Sequence, residues 1–217
     1  MALTLLSTKL HTPLVRPELV SRPRLLDRLD QGRHRRLTLV SAPAGFGKTT
    51  LLGEWAGRLQ AARPPRTRVA WVSLDEGDND PARFAAYLAA ALLPGERPAP
   101  AASDALEAAG AGLQEAELAR LINEVAALPQ DAILVLDDYH LVTCQAVHAA
   151  VAYLVEHSPP NLHLVIATRA DPPLPLPRLR VRDHLAELRQ SDLRFTTEEA
   201  AAFLTRAMGL GLSAADV

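Results

Sequence analysis

At 217 residues, 48% of them hydrophobic, the chain is long enough to bury a full core as one α/β domain with at most a small appendage. Its formal charge of −2 leaves no broad basic footprint, which excludes a segment that grips DNA chiefly through its phosphates. A single cysteine, Cys144, excludes an intrachain disulfide, and no run of about 18 apolar residues exists to cross a membrane, so a reducing, cytoplasmic compartment is expected.

Residues 1–20 read as extended, with Pro13 and Pro17 blocking a helix, and MALTLLSTKLHTP lacks the charged start of a signal peptide. Ser21, Pro23, Leu25 and Leu26 suggest a short helix to about Asp30, a lid-like approach to the first strand, Leu37 to Ser41. A small-residue turn follows, then a helix to about Ala61 that RPPR at 63–66 ends. The second strand, Val69 to Ser73, carries Trp71 and leads into the acidic turn Asp75 to Asp80. Asp80 followed by Pro81 starts a helix with Phe84, Tyr87, Leu88 and Leu92 on one face. Residues 94–102, rich in Pro, Ala and Gly, read as a loop.

A helix from about Glu115 to Leu128 precedes the third strand, Ala132 to Leu136. Gln145 to Glu156 is helical, Pro159 and Pro160 stop it, and the fourth strand is Leu162 to Thr168. Pro172, Pro173, Pro175 and Pro177 punctuate a loop before a short strand near Leu185 to Arg189 and a helix from about Glu198 to Met208. Nearly uniform apolar strands alternating with helices require a mostly parallel sheet covered on both faces, whose ligands bind at the carboxyl ends of the strands.

One of those ends carries the densest signal. LTLVSAPAGFGKTT, 37–50, runs from a strand through Gly45 and Gly47 into Lys48, Thr49, Thr50 and a helix, the sequence of a phosphate-binding P-loop. Small residues let backbone N–H groups approach a polyphosphate, and a helix N-terminus stands behind them. The stretch Ala44, Gly45, Phe46, Gly47, Lys48, Thr49, Thr50 is therefore the candidate nucleotide cradle. Lys48 reaches for the β and γ phosphates, and the Thr49 hydroxyl is a Mg²⁺ ligand. Ala42 stands where the pattern G-x-x-x-x-G-K-[ST] begins with glycine, which is tolerable if its φ stays negative. All 23 basic residues but Lys9 and Lys48 are arginine, so a compact ammonium is placed where a point charge is wanted.

The third strand, AILVLDDYH, ends in Asp137 and Asp138. An acid closing a buried strand beside a P-loop strand matches a Walker B, with Asp137 the Mg²⁺ partner and Asp138 the candidate base that orients the attacking water. Taken alone, the pair better suits a strand ending in an Asp turn, and it is the P-loop about 90 residues earlier that favours the metal and base roles. Thr168 and Arg169 close the fourth strand, where Arg169 either senses a γ-phosphate or leaves the sheet into water. Arg22 either folds over the nucleotide base or is solvated. Arg178, Arg180 and Arg182 supply a phosphate-facing cation or, the favoured reading, a solvated strand edge. Asp75, Asp78 and Asp80 read as turn and capping residues ahead of a cation site, Trp71, Phe84 and Tyr87 as core, and the seven histidines as surface or capping residues without metal-ligand spacing.

TKL near the start, VSRPRLLDRL, APAGFGKTTLL with its Ala42, VAWVSLDEGDNDPARFAAYLAAAL, LVLDDYH, LVIATRADPPLPLPRLR and LRFTTEEAAAFL together resemble the nucleotide-binding domain of the MalT-like large ATP-binding regulators of the LuxR family, signal-transducing STAND-class P-loop NTPases. The resemblance implies a three-layer P-loop NTPase fold over 1–195, akin to NB-ARC and AAA domains, with helices on both faces of the sheet and a helical subdomain beginning at 196–217. It implies an ADP-bound resting state, an ATP-bound state that self-associates, and slow ATP hydrolysis as the reset, with ATP/ADP and Mg²⁺ as ligands. ATP is expected over GTP because no Asn-Lys-x-Asp motif is present. DNA contact is expected only through a C-terminal helix-turn-helix outside this chain. LSAADV, with Ser213 and Asp216 spaced like a capping box, reads as a helix start in a fragment or truncated product. The alternatives are a stand-alone P-loop ATPase or kinase and a nucleotide-holding pseudo-enzyme.

Overall fold

The computed structural model describes residues 4–14, 19–62, 67–93 and 115–208. The readings at 63–66, 94–102 and 213–216 lie outside them. Five strands, β1 Leu37–Ser41, β2 Thr67–Ser73, β3 Asp131–Asp137, β4 Leu162–Thr168 and β5 Leu185–Arg189, form one all-parallel sheet in the order β2-β3-β4-β1-β5. The helices are α1 Pro23–Gly32, α2 Lys48–Ala61, α3 Pro81–Leu92, α4 Glu115–Ala126, α5 Gln145–His157, α6 Leu176–Val181, α7 Gln190–Leu193 and α8 Thr197–Met208. None is long and apolar enough to cross a membrane, among the described residues.

Successive side chains of each strand point to opposite faces, so apolar runs build two cores at once. Leu37 and Leu39 of β1, Leu134 and Leu136 of β3, and Leu164 and Ile166 of β4 pack with α3, α4 and α5. Val40, Ile133, Val135, Val165 and Ala167 face the other way and pack with α1 and α2 through Leu25, Leu29, Leu52 and Trp55. The result is the three-layer α/β architecture expected. Trp71, Phe84 and Tyr87 are core, as read.

Three expectations need correction. Residues 23–32 form no lid: Leu25, Leu26 and Leu29 are buried, and Asp30 accepts Trp55 Nε1–H at 2.7 Å, so α1 is fixed to α2. The prolines before β5 do not keep that segment a loop, because Pro177 falls in the first turn of α6, where a missing N–H is harmless. Arg178, Arg180 and Arg182 are consequently on or beside a helix, not a strand edge, and pair with Glu156, Glu187 and Glu156 respectively. Finally, β3 is not beside β1, since β4 lies between them.

Asp75 and Asp78 hold a side-chain cation instead of a metal. Lys9 sits in a 3-10 turn, Ser7–Leu10, pairs with Asp78, reaches Asp75 at 3.0 Å and lies 4.5 Å from the centre of the Tyr87 ring. Arg83 completes the cluster, and Asp80 caps α3 by accepting Arg83 N–H at 2.9 Å. The sequence places Lys9 and Asp78 sixty-nine positions apart, which local spacing does not reveal.

His163, read as a surface residue, is buried on β4. Its Nδ1 lies 2.7 Å from the Arg35 carbonyl and its Nε2 3.0 Å from Thr38 Oγ1. A carbonyl only accepts, so Nδ1 carries the proton and Nε2 accepts the threonine hydroxyl. Burial pushes its pKa down to about 4. The folded state thus binds fewer protons than the unfolded one between pH 6.5 and 4. Stability from this residue is complete above pH 6.5 and is lost as pH falls through that window. Denaturant titrations are expected to show a pH-dependent loss on the order of 3 kcal/mol that a His163→Gln variant lacks. Equal slopes in the two proteins would refute this assignment.

Candidate phosphate-binding site

The turn between β1 and α2 is built by its two glycines. Gly45 has φ 82° and Gly47 φ 72°, in the left-handed region, where L side chains are strained. A Cβ at either would meet nothing within 4 Å, so backbone conformation and not crowding selects glycine there. Ala42 is buried and continues the sheet by donating its N–H to Thr168 O at 3.2 Å. It is absent from the positive-φ residues, which is why alanine serves at this position.

Gly47 is the N-cap of α2, and no side chain caps the helix or places an acid in its first turn. Its first N–H groups are unsatisfied donors at the positive end of the helix dipole. Ala44 and Gly45 are exposed on the turn, Phe46 packs its ring against the α1–α2 core, and Thr50 is exposed on the first turn of α2. Lys48 is buried, with Nζ 2.8 Å from Ala42 O and 3.0 Å from Pro43 O, so the loop's own carbonyls hold the ammonium over the cradle. Burial and the nearby Arg169 guanidinium lower its pKa.

Asp137 closes β3 at 3% exposure. Burial raises its pKa, while the Thr49 hydroxyl, the Asp138 N–H at 2.9 Å and Lys48 steady its charge. Lys48, Thr49 and Asp137 therefore converge across the intervening β4. Among the described residues no ion pair reaches Asp137. A buried carboxylate facing a hydroxyl, both hard oxygen donors, fits a Mg²⁺ ion.

Asp138 turns out of the strand with φ 55°, and its carboxylate is about half exposed. His140 Nδ1 lies 3.8 Å from Asp138 Oδ1, buried and without a hydrogen-bond partner. Burial, Arg169 and Lys48 lower its pKa, which keeps it neutral near pH 7. Sequence reasoning left His140 aside; its place directly after two acids at a strand end was the available signal. Arg169 is exposed, acts on both Lys48 and His140, and has no ion-pair partner among the described residues. Lys48, Arg169 and His140 thus lie within electrostatic reach of one another and of the two acids.

Arg22 is not part of it. Its guanidinium donates to Leu193 O at 2.6 Å and Arg194 O at 3.2 Å, faces Glu199 at 3.4 Å and lies 5.0 Å over Phe195. It is neither solvated nor available to fold over a base, because residues 193–199 pack onto the start of α1.

A parallel sheet with a glycine turn opening onto a helix, and an acid-tipped strand two places along, defines a P-loop NTPase fold, the class to which this chain belongs. It is 40% identical over 200 residues to the HTH-type transcriptional regulator MalT of Cronobacter sakazakii, covering 92% of this chain and 21% of that protein. The likeness to MalT-like regulators carried by the motifs is thereby borne out, although the chain spans only about a fifth of the length of the curated relatives it matches. No protein-family model matches the chain. In fold it is similar to a Walker-type ATPase of Pyrococcus abyssi, with a TM-score of 0.58 at 15% identity over 93% of this chain and 62% of that one. It is also similar to a Signal Transduction ATPase with Numerous Domains carrying a tetratricopeptide repeat sensor, from Pyrococcus horikoshii. There the TM-score is 0.56 at 15% identity, over 94% of this chain and 28% of that one.

Proposed function

We propose that the chain is the ATP-binding, slowly hydrolysing switch domain of a MalT-like transcriptional regulator, working in the cytoplasm. The observation that carries it is the convergence of the uncapped α2 N-terminus, Lys48 and Arg169, which has no ion-pair partner among the described residues, opposite the buried Asp137. Three positive features, faced by a buried carboxylate that suits a Mg²⁺ ion, fit a triphosphate.

Backbone amides from Ala44 to Thr50 cradle the phosphates, Lys48 neutralises the β and γ oxygens, and Arg169 meets the γ-phosphate. Thr49 and Asp137 hold Mg²⁺, which when bound offsets phosphate charge. Asp138 takes the proton of the attacking water, with His140 beside it as a neutral partner. Residues 1–195 form the NTPase unit and 196–217 open a helical unit. ATP in place of ADP changes how that unit is held, and the ATP form self-associates. DNA is met through a helix-turn-helix elsewhere in the regulator.

The chain purified without added nucleotide is expected to release ADP or ATP on denaturation, and ATP to displace a fluorescent ADP more effectively than GTP. Absence of binding at millimolar nucleotide with Mg²⁺ would overturn the reading, and tighter GTP binding would overturn the base preference.

A further inference from the structure

The turn that carries Arg169 is pinned from one side by a carboxylate that the nucleotide site itself does not use. Thr168 Oγ1 donates to Ala170 O at 2.8 Å, closing the turn at the end of β4. Two residues beyond Arg169, the Asp171 carboxylate reaches across the end of β1. It accepts Ser41 Oγ–H at 3.3 Å and both Nη groups of Arg189, the second at 3.2 Å. Ser41 is in register with Thr168 on one side and Arg189 on the other, so a single carboxylate ties the carboxyl ends of three adjacent strands.

Arg189 is itself held. Glu187 accepts its Nε–H at 3.0 Å and pairs with Arg180 of α6 at 2.7 Å. The two arginines pull the Glu187 carboxyl down to about 2, and Arg189 and Ser41 hold Asp171 below the usual carboxylate range. The four-member chain Arg180–Glu187–Arg189–Asp171 therefore stays ionised throughout the neutral range. A planar guanidinium gripped by two carboxylates fixes direction as well as distance, which a single lysine contact would not.

We propose that Asp171 is a positioning residue that sets nucleotide specificity: braced by Arg189, it holds the Arg169 turn where the guanidinium meets a third phosphate. The inference rests on the proposed role of Arg169 as the γ-phosphate contact and adds the residue that makes that contact selective. A diphosphate ends before Arg169, so its affinity does not depend on where the turn sits. A triphosphate loses a contact when the turn drifts. Asp171 thus governs the ratio of the two affinities and leaves the diphosphate term alone, whereas a merely structural carboxylate would move both.

The test measures ADP and the non-hydrolysable analogue adenosine 5′-(β,γ-imido)triphosphate, each with Mg²⁺, on the 217-residue chain by calorimetry. Asp171→Asn is expected to weaken the triphosphate about tenfold, a typical coupling between linked groups, with ADP within about twofold. Arg189→Lys, which keeps the charge but not the fork, is expected to do the same, and Arg169→Ala to match it. In the double variant Asp171→Asn/Arg169→Ala the loss should not grow, because both act through one contact. Equal weakening of both nucleotides, unchanged triphosphate affinity in Asp171→Asn, or additive losses in the double variant would each overturn the assignment. A wild-type chain that binds the two nucleotides but prefers neither overturns the Arg169 contact and this inference with it. A wild type that prefers the triphosphate while Asp171→Asn keeps that preference sinks only the role of Asp171.

Discussion

Replacing Lys48 with alanine is expected to weaken ADP and ATP binding by about a hundredfold, the scale of two to three kcal/mol for a charge-assisted contact, while the empty protein keeps its melting temperature. The two halves of that expectation have one cause. The ammonium is buried, and desolvation already lowers its pKa, so the folded chain holds a cation at some cost. What it gains in return are two hydrogen bonds to Ala42 O and Pro43 O. Alanine removes the cost and the bonds together, which leaves stability nearly unchanged. It also removes the one charge that the loop carbonyls aim at the cradle. Lys48→Arg should not rescue binding, because the longer planar fork does not fit between two carbonyls arranged for a point charge. Calorimetric titration of ADP against the three proteins, with thermal melts as a control, checks the expectation. Binding that survives in Lys48→Ala would mean the turn does not face the phosphates.

The P-loop was legible because its chemistry is local: Ala42 to Thr50 are consecutive, and two glycines, a lysine and a helix start sit within one turn. The strands were legible for a related reason, since a strand buried on both faces leaves an uninterrupted apolar run such as Ala132 to Leu136. Strand order was not. The placement of β4 between β1 and β3 is decided by how α2 to α5 cover the sheet, a matter of packing between segments that no local pattern records. Long-range pairs were equally hidden. Lys9 with Asp78, and Arg22 with the Leu193 carbonyl, join residues 69 and 171 positions apart, and in sequence each looks like an ordinary surface charge. α6 was lost because proline reads as a breaker unless it is known to fall in a first turn. His140 was lost because a histidine gains meaning only from its neighbours, here Asp138, Lys48 and Arg169.

Asp138→Asn is expected to reduce single-turnover ATP hydrolysis at least about a hundredfold, the lower range for a positioned general base, with nucleotide affinity unchanged within about twofold. Asparagine is the informative replacement here because Asp138 has φ 55°, a left-handed conformation that asparagine adopts more readily than other side chains. The backbone that orients Asp137 through the Asp138 N–H is therefore preserved, and only proton acceptance is removed. Alanine would confuse that loss with a shifted turn. Asp137→Asn should behave differently, removing the charge from a buried site facing Thr49 and weakening Mg²⁺-dependent binding as well as turnover. Should Asp138→Asn retain wild-type turnover while His140→Ala loses it, the base is the imidazole, whose Nδ1 is buried, unpartnered and held neutral by burial and by the adjacent Arg169 and Lys48 cations. The pH dependence separates the two independently. An imidazole base, its pKa lowered by burial and by the Arg169 and Lys48 cations, gives a rate that falls as pH drops from neutrality, a fall that Asp138→Asn leaves in place and His140→Ala removes.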